Sequence, residues 1–211
     1  MSDDVLDFAS LMCSRLCHDL LSPVGSFGNG LELLRDEQDE AMRESCVSLL
    51  EASSTTAIAK LKFFRLAFGS SGGYGDDIAV SDILDALRGL VPGTRTVQIS
   101  WIGEQTAVAK PAARVILALG LSLVEALIRG GRIDIAMEQR GELVELALRG
   151  EGDRIILDAA SRAFFSDPAA ELSPKTIGLA LARRIALAGG GDIMLSQPGD
   201  TELVIGAVMR A

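Results

Sequence analysis

The chain has 211 residues, 48% of them hydrophobic and 23% charged, which fits one or two soluble domains whose core needs neither disulfides nor a structural metal. A formal net charge of −9 and a pI near 4.7 argue against a general nucleic-acid binder and against an anionic-membrane binder, since both need a basic surface. Aromatic residues make up only 4%, so the core rests on Leu, Ile, Val and Ala.

The opening residues, Met1 to Asp4, are acidic, and no signal peptide is expected to begin there. Three cysteines, Cys13, Cys17 and Cys46, are an odd count in a chain too large to need staples, so a reduced, cytoplasmic setting is expected. The longest apolar stretch, Val115 to Ile128, is 14 residues long and contains Glu125, too short and too polar to span a bilayer.

The first third reads as two long helices. Val5, Ala9, Met12, Leu16, Leu20, Phe27, Leu31 and Leu34 recur in steps of three, four and seven and share one face. Residues 35–40 (RDEQDE) are polar and mark a turn. The acidic run 36–44 reads as solvated surface. A second helix carries Met42, Leu49, Ile58, Leu61, Phe64, Leu66 and Phe68, with a small, polar middle at 52–57. Two antiparallel helices cannot enclose a core. Pairing two such hairpins into a four-helix bundle closes one, so a homodimer is expected.

Residues 69–77 (GSSGGYGDD) have the composition of a flexible linker. Charge also changes there: residues 1–77 hold 6 Lys/Arg against 13 Asp/Glu, and residues 78–211 hold 14 against 16. The expected units are 1–70, a linker at 71–77, and 78–211.

Beyond the linker, strands and helices alternate. Strands are expected at 96–102, 132–137 and 143–148, the last two joined through 139–142. Helices are expected at 111–129, with Pro111 near the start, at 159–165, and at 174–188, ending at the glycines 189–191. A final hairpin, 193–196 with 203–209, turns around Pro198 and Gly199. The fold class is therefore α+β: a helical hairpin followed by an α/β sandwich with mostly antiparallel strands.

There is one histidine, His18. With about 100° per residue, Leu11, Ser14, Arg15, Ser22, Gly25 and Asn29 fall within about 60° of it, while Leu16, Leu20 and Phe27 lie opposite. A lone histidine is ordinarily a satisfied core residue, but this one faces away from the core, among neighbours that are small or polar apart from Leu11. Asp19 follows it directly. A carboxylate there can hold one ring nitrogen and make the other more nucleophilic. Arg15, one turn earlier, can steady an anionic group beside His18 or pair with Asp19. Pro23 cannot donate to the carbonyl of Asp19, so the helix bends there, or Ser22 and Pro23 start a new one. Gly25, Gly28 and Gly30 weaken the helix that follows and suit the close approach of a partner. Zinc on Cys13, Cys17, His18 and Cys46 is disfavoured because Cys17 and His18 point apart; buried thiols are the expectation. A serine–histidine hydrolase lacks its Gly-X-Ser-X-Gly elbow.

Residues 17–34 (CHDLLSPVGSFGNGLELL) resemble the phospho-accepting box of two-component histidine kinases, in which His, an acidic residue and a downstream Pro recur in that order. With residues 60–69 (KLKFFRLAFG), the chain is similar to ChpT-type histidine phosphotransferases, dimeric relay proteins of alphaproteobacteria. The similarity covers nearly the whole chain, strongest at 11–34 and 57–69 and moderate at 111–132 and 174–194. Residues 177–190 look like the last glycine box of a kinase ATP-binding domain. Residues 117–126 look like the helix carrying its magnesium-binding asparagine, with Ser122 in that place. No Asp-X-Gly-X-Gly motif exists; residues 150–153 (GEGD) do not match it, and 159–174 is short for an ATP lid.

The resemblance implies a dimeric histidine phosphotransferase whose second domain has lost its nucleotide site. His18 and Asp19 are the expected catalytic residues, and Ser14, Arg15, Ser22, Gly25 and Asn29 the expected docking residues. No metal or cofactor is expected on this chain. Mg2+ is expected on the partner receiver domain of a hybrid sensor kinase, and a response regulator is the expected recipient. An ATP-dependent kinase with a divergent second domain and a non-catalytic dimeric adaptor are the alternatives.

Overall fold

The computed structural model describes residues 2–69, 76–167, 170–196 and 199–210, and side chains from residue 4 onward. Two long helices open the chain, α1 (Ser2–Asp36) and α2 (Glu40–Phe68). Helix α1 runs through Pro23 without interruption, so Ser22 and Pro23 do not begin a new helix. The hairpin closes through capping: Asp39 accepts from the Met42 amide at 3.0 Å, and Arg43 donates to the carbonyls of Leu34 (3.1 Å) and Glu37 (3.0 Å). Gly30 has a packing role here, because a Cβ on it would stand 2.8 Å from Leu50 Cδ2. It brings α1 close to α2 within one chain.

The remaining elements are β1 (Asp77–Ala79), α3 (Val80–Arg88), β2 (Val97–Ile102), β3 (Ala107–Ala109), α4 (Lys110–Ala126), β4 (Gly131–Arg140), β5 (Leu143–Glu151), α5 (Ala159–Ser166), α6 (Ile177–Ala188), β6 (Asp192–Leu195) and β7 (Glu202–Arg210). The main sheet has the order β2-β4-β5-β7-β6, with β2 and β4 parallel and the other pairs antiparallel. The α+β expectation is met. Strands β1 and β3 form a separate antiparallel pair. That pair and α3 escaped the sequence reading, the strands because three residues are too few to show a period. The helix expected at 174–188 begins only at Ile177, after a turn in which Ser173 and Thr176 hydrogen-bond each other. Of the expected linker and final turn, residues 70–75 and Pro198 lie outside the described residues.

Helix α4 is apolar on nearly every side and sits in the middle of the core, as a helix with no polar stripe must. Strands β5 and β7 alternate, turning Val144, Leu146, Leu148, Leu203, Ile205, Ala207 and Met209 inward. The core also takes in the end of the hairpin. Phe63, Phe64, Leu66 and Ala67 of α2 belong to the same buried cluster, and Phe64 stacks on Phe68 at 5.7 Å. Arg114 of α4 donates to the carbonyl of Ala67 at 2.9 Å. Burial of that guanidinium pulls its pKa down. From α1, Phe8, Met12, Leu16 and Leu20 pack against this core, and Arg184 of α6 pairs with Asp4 at 2.9 Å. Thus α2 is anchored at its C-terminal end and α1 along its N-terminal half.

This shared core makes a prediction. Phe63 is fully buried. Phe63→Ala is expected to cost about 3–5 kcal/mol. The loss should appear as a lower urea midpoint in the fluorescence of Trp101, the chain's sole tryptophan, in β2. An unchanged Trp101 transition would contradict the shared core.

Candidate functional site

The proline four residues after Asp19 sets the local problem. Pro23 has no amide hydrogen, so the Asp19 carbonyl loses its helical partner. Lys60 of α2 fills the gap: its Nζ donates to the Asp19 carbonyl oxygen at 2.7 Å. A lysine from the neighbouring helix therefore holds the backbone beside His18.

Above this carbonyl the side chains form a chain of contacts. The His18 side chain is 83% exposed. Its Nδ1 lies 3.1 Å from Asp19 Oδ1. The contact suits an Nδ1–H donating to the Asp19 carboxylate, the tautomer in which Nε2 keeps its lone pair. Arg15 Nε donates to the other oxygen, Asp19 Oδ2, at 2.7 Å. A terminal nitrogen of Arg15 donates to Glu125 Oε1 in a short ion pair across to α4. Burial pulls the Arg15 pKa down, but the carboxylates of Glu125 and Asp19 outweigh it, and the net shift is upward.

These groups line one side of a cleft of about 360 Å³ between α1 and the second half of the chain. Ser122 and Glu125 of α4 form part of its wall, and Asp158, Ser161 and Lys175 face them. Asp158 caps α5, accepting from the Ala160 and Ser161 amides (3.1 and 3.2 Å) and from the Ser161 hydroxyl (2.6 Å). Burial raises its pKa, but these bonds and the nearby Lys175 charge outweigh that and hold the carboxyl below its ordinary range.

The expected site residues divide into two groups. His18, Ser14, Ser22, Gly25 and Asn29 are exposed, and Gly25 has open space around it. Arg15 is not available for docking. It is 6% exposed, and both of its partners are carboxylates of this chain. Helical phase places its Cα near the His18 face, but the long side chain turns inward to reach Glu125. The pairing with Asp19 is met. Glu125 was noticed in the sequence only as an impurity in an apolar stretch, and its partner lies 110 positions away. Lys60 had no signal beyond the orphan carbonyl that Pro23 creates. Of the thiols, Cys46 is buried, whereas Cys13 and Cys17 are exposed in the single chain, contrary to expectation. Among the described residues, no group of three or more His, Cys, Asp or Glu is placed to hold a metal ion.

Comparison with known proteins adds three findings. Residues 80–201 match the family model of the histidine phosphotransferase C-terminal domain, which is more than half of the chain. The chain is 33% identical over 133 residues to the protein phosphotransferase ChpT of Brucella abortus (strain 2308). That match covers 63% of this chain and spans 62% of the relative's length. The fold is shared with a bacterial phosphotransferase solved at 1.7 Å, at a TM-score of 0.80 and 24% identity over 96% of each chain.

The Lys60 contact is open to direct test. Removing the charged donor to the part-buried Asp19 carbonyl by Lys60→Met is expected to cost about 1.5–3 kcal/mol. Lys62→Met, on the exposed side of the same helix, should stay within about 0.5 kcal/mol of wild type. Equal urea midpoints for the two variants would show that Lys60 does not support the proline site.

Proposed function

The chain belongs to the family of the histidine phosphotransferase C-terminal domain, and on that premise we propose that it relays a phosphoryl group through His18. The observation that carries the proposal is the exposed imidazole whose Nδ1 lies 3.1 Å from Asp19 Oδ1. The donor is the aspartyl phosphate on the receiver domain of a hybrid sensor kinase. The Nε2 lone pair attacks phosphorus, an N–P bond forms, and the P–O bond to the receiver's aspartate breaks, releasing its carboxylate. The ring becomes cationic, with its proton on Nδ1 facing Asp19. Transfer onward to the aspartate of a response regulator reverses the same bonds. Such chemistry needs in-line positioning and charge stabilisation above all. Mg2+ belongs to the receiver's acidic pocket in this scheme, and the chain itself carries no cofactor.

The receiver docks on the strip formed by Ser14, Ser22, Gly25 and Asn29 around His18. These side chains have little bulk, which suits the approach of a partner helix. The cleft between α1 and α4 then receives the partner's active-site loops. ATP has no part in this reading: Ser122 lines the cleft, and the resemblance of residues 117–126 to a kinase helix puts it in the place of the magnesium-binding asparagine.

The protein acts as a homodimer built on the hairpin. Val24 and Leu31 of α1 are 54% and 53% exposed and share one face, seven residues apart. Ile58 and Leu61 of α2 are 50% and 53% exposed. A second hairpin covers these faces in a four-helix bundle. No helix of the described residues is long and apolar enough to cross a membrane, and a reduced cytoplasmic setting accommodates two exposed thiols.

After mixing with a phosphorylated receiver, wild-type protein should carry acid-labile, base-stable phosphate, and His18→Ala should carry none. Asp19→Asn should slow transfer about ten- to a hundredfold, the equivalent of about 1.4–2.7 kcal/mol, without removing the acceptor. Label on His18→Ala would defeat the proposal. Light scattering at micromolar concentration should give twice 22.2 kDa for wild type. The double variant Val24→Glu with Leu31→Glu should give half of that, and a monomeric wild type would refute the bundle.

A further inference from the structure

Glu125 is not part of the hairpin that carries His18, yet it ends the chain of contacts that begins at the imidazole. Asp19 has two oxygens and two claimants: Oδ1 meets His18 Nδ1 at 3.1 Å, and Oδ2 accepts from Arg15 Nε at 2.7 Å. A guanidinium left to itself grips a carboxylate with two parallel N–H donors, taking both oxygens. Here one terminal nitrogen of Arg15 is engaged by Glu125 instead, so Arg15 spends a single bond on Asp19.

We infer that Glu125 is a positioning residue for the relay: by occupying Arg15 from α4, it keeps Asp19 Oδ1 available to His18 and so fixes the Nδ1–H tautomer that leaves Nε2 free. The inference rests on the proposed phosphotransfer reading for its consequence, but not for its geometry. Arg15 is buried, with its Nε already on the Asp19 carboxylate. Without Glu125, that carboxylate is the group on which the freed nitrogen can close a two-bond fork. Arg15 then forks onto Asp19, His18 loses its anchor, and the imidazole rotates and exchanges tautomers freely. Glu125 itself is half exposed in the cleft wall, so it is within reach of a docked partner. The second half of the chain thereby contributes directly to the state of a histidine on the first.

The sole histidine makes the test clean. In uniformly 15N-labelled protein at pH 8.5, where an ordinary imidazole is neutral, one pair of ring nitrogens reports the tautomer. Wild type should show Nδ1 protonated and Nε2 bare. Glu125→Gln, which keeps the shape and removes the charge, should shift the pair toward averaged values, and Glu125→Ala should do the same. Glu125→Asp should restore the wild-type pattern in part. In transfer from a phosphorylated receiver, Glu125→Gln should lower the maximal rate about tenfold, with the half-saturating receiver concentration unchanged. In an Asp19→Asn background it should have no further effect, because both changes cut one chain.

Unchanged ring nitrogens in Glu125→Gln, or full additivity with Asp19→Asn, would overturn the inference. A wild type that accepts no phosphate would instead defeat the relay reading and leave the tautomer result standing, so the two failures are distinguishable.

Discussion

Arg15 is a buried guanidinium whose charge is met by two carboxylates, and that pairing constrains everything around His18. Its desolvation is offset by Asp19 on its own helix and Glu125 on α4, so α1 must lie against the second half of the chain at one register. A buried ion pair of this kind contributes little net stability, because desolvation consumes most of the Coulombic gain. What it supplies is geometry. The pairing orients Asp19, Asp19 orients the imidazole, and the imidazole presents one nitrogen outward.

The backbone beneath this chain of contacts is equally determined. Pro23 removes one amide from α1, and the carbonyl it orphans belongs to Asp19. Lys60 restores the missing bond from α2 and adds a positive charge beneath the carboxylate-bearing residue. The expected bend or helix start at Pro23 therefore resolves into a continuous helix, because a side chain takes over the bond that proline forfeits.

How much of this was legible in the sequence depended on range. Local signals were read correctly: the period of Met12, Leu16 and Leu20, the glycine stop after α6, and the outward phase of His18 beside Asp19. Interactions across the chain were not. The 3.6-residue period locates Arg15 on the His18 face but says nothing of where a flexible side chain ends, and Glu125 is 110 residues away. The linker composition near residue 70 suggested two separate units, whereas Phe63 and Phe64 of the first lie in the core of the second. The short pair β1 and β3 carried too few residues for a pattern. On the hairpin, Leu31, Ile58 and Leu61 are among the apolar positions of the two helices, and a single chain leaves them exposed. In the proposed dimer this is the surface that the second copy covers.

In the proposed relay, the imidazole nitrogen that accepts the phosphoryl group is set by the Asp19 contact. If Asp19 holds Nδ1 in place, phosphorus can bond only to Nε2. A 15N-labelled sample treated with a phosphorylated receiver should therefore show a single phosphoimidazole with the N–P coupling on Nε2 of His18. Phosphate on Nδ1, or on any side chain other than His18, would contradict it.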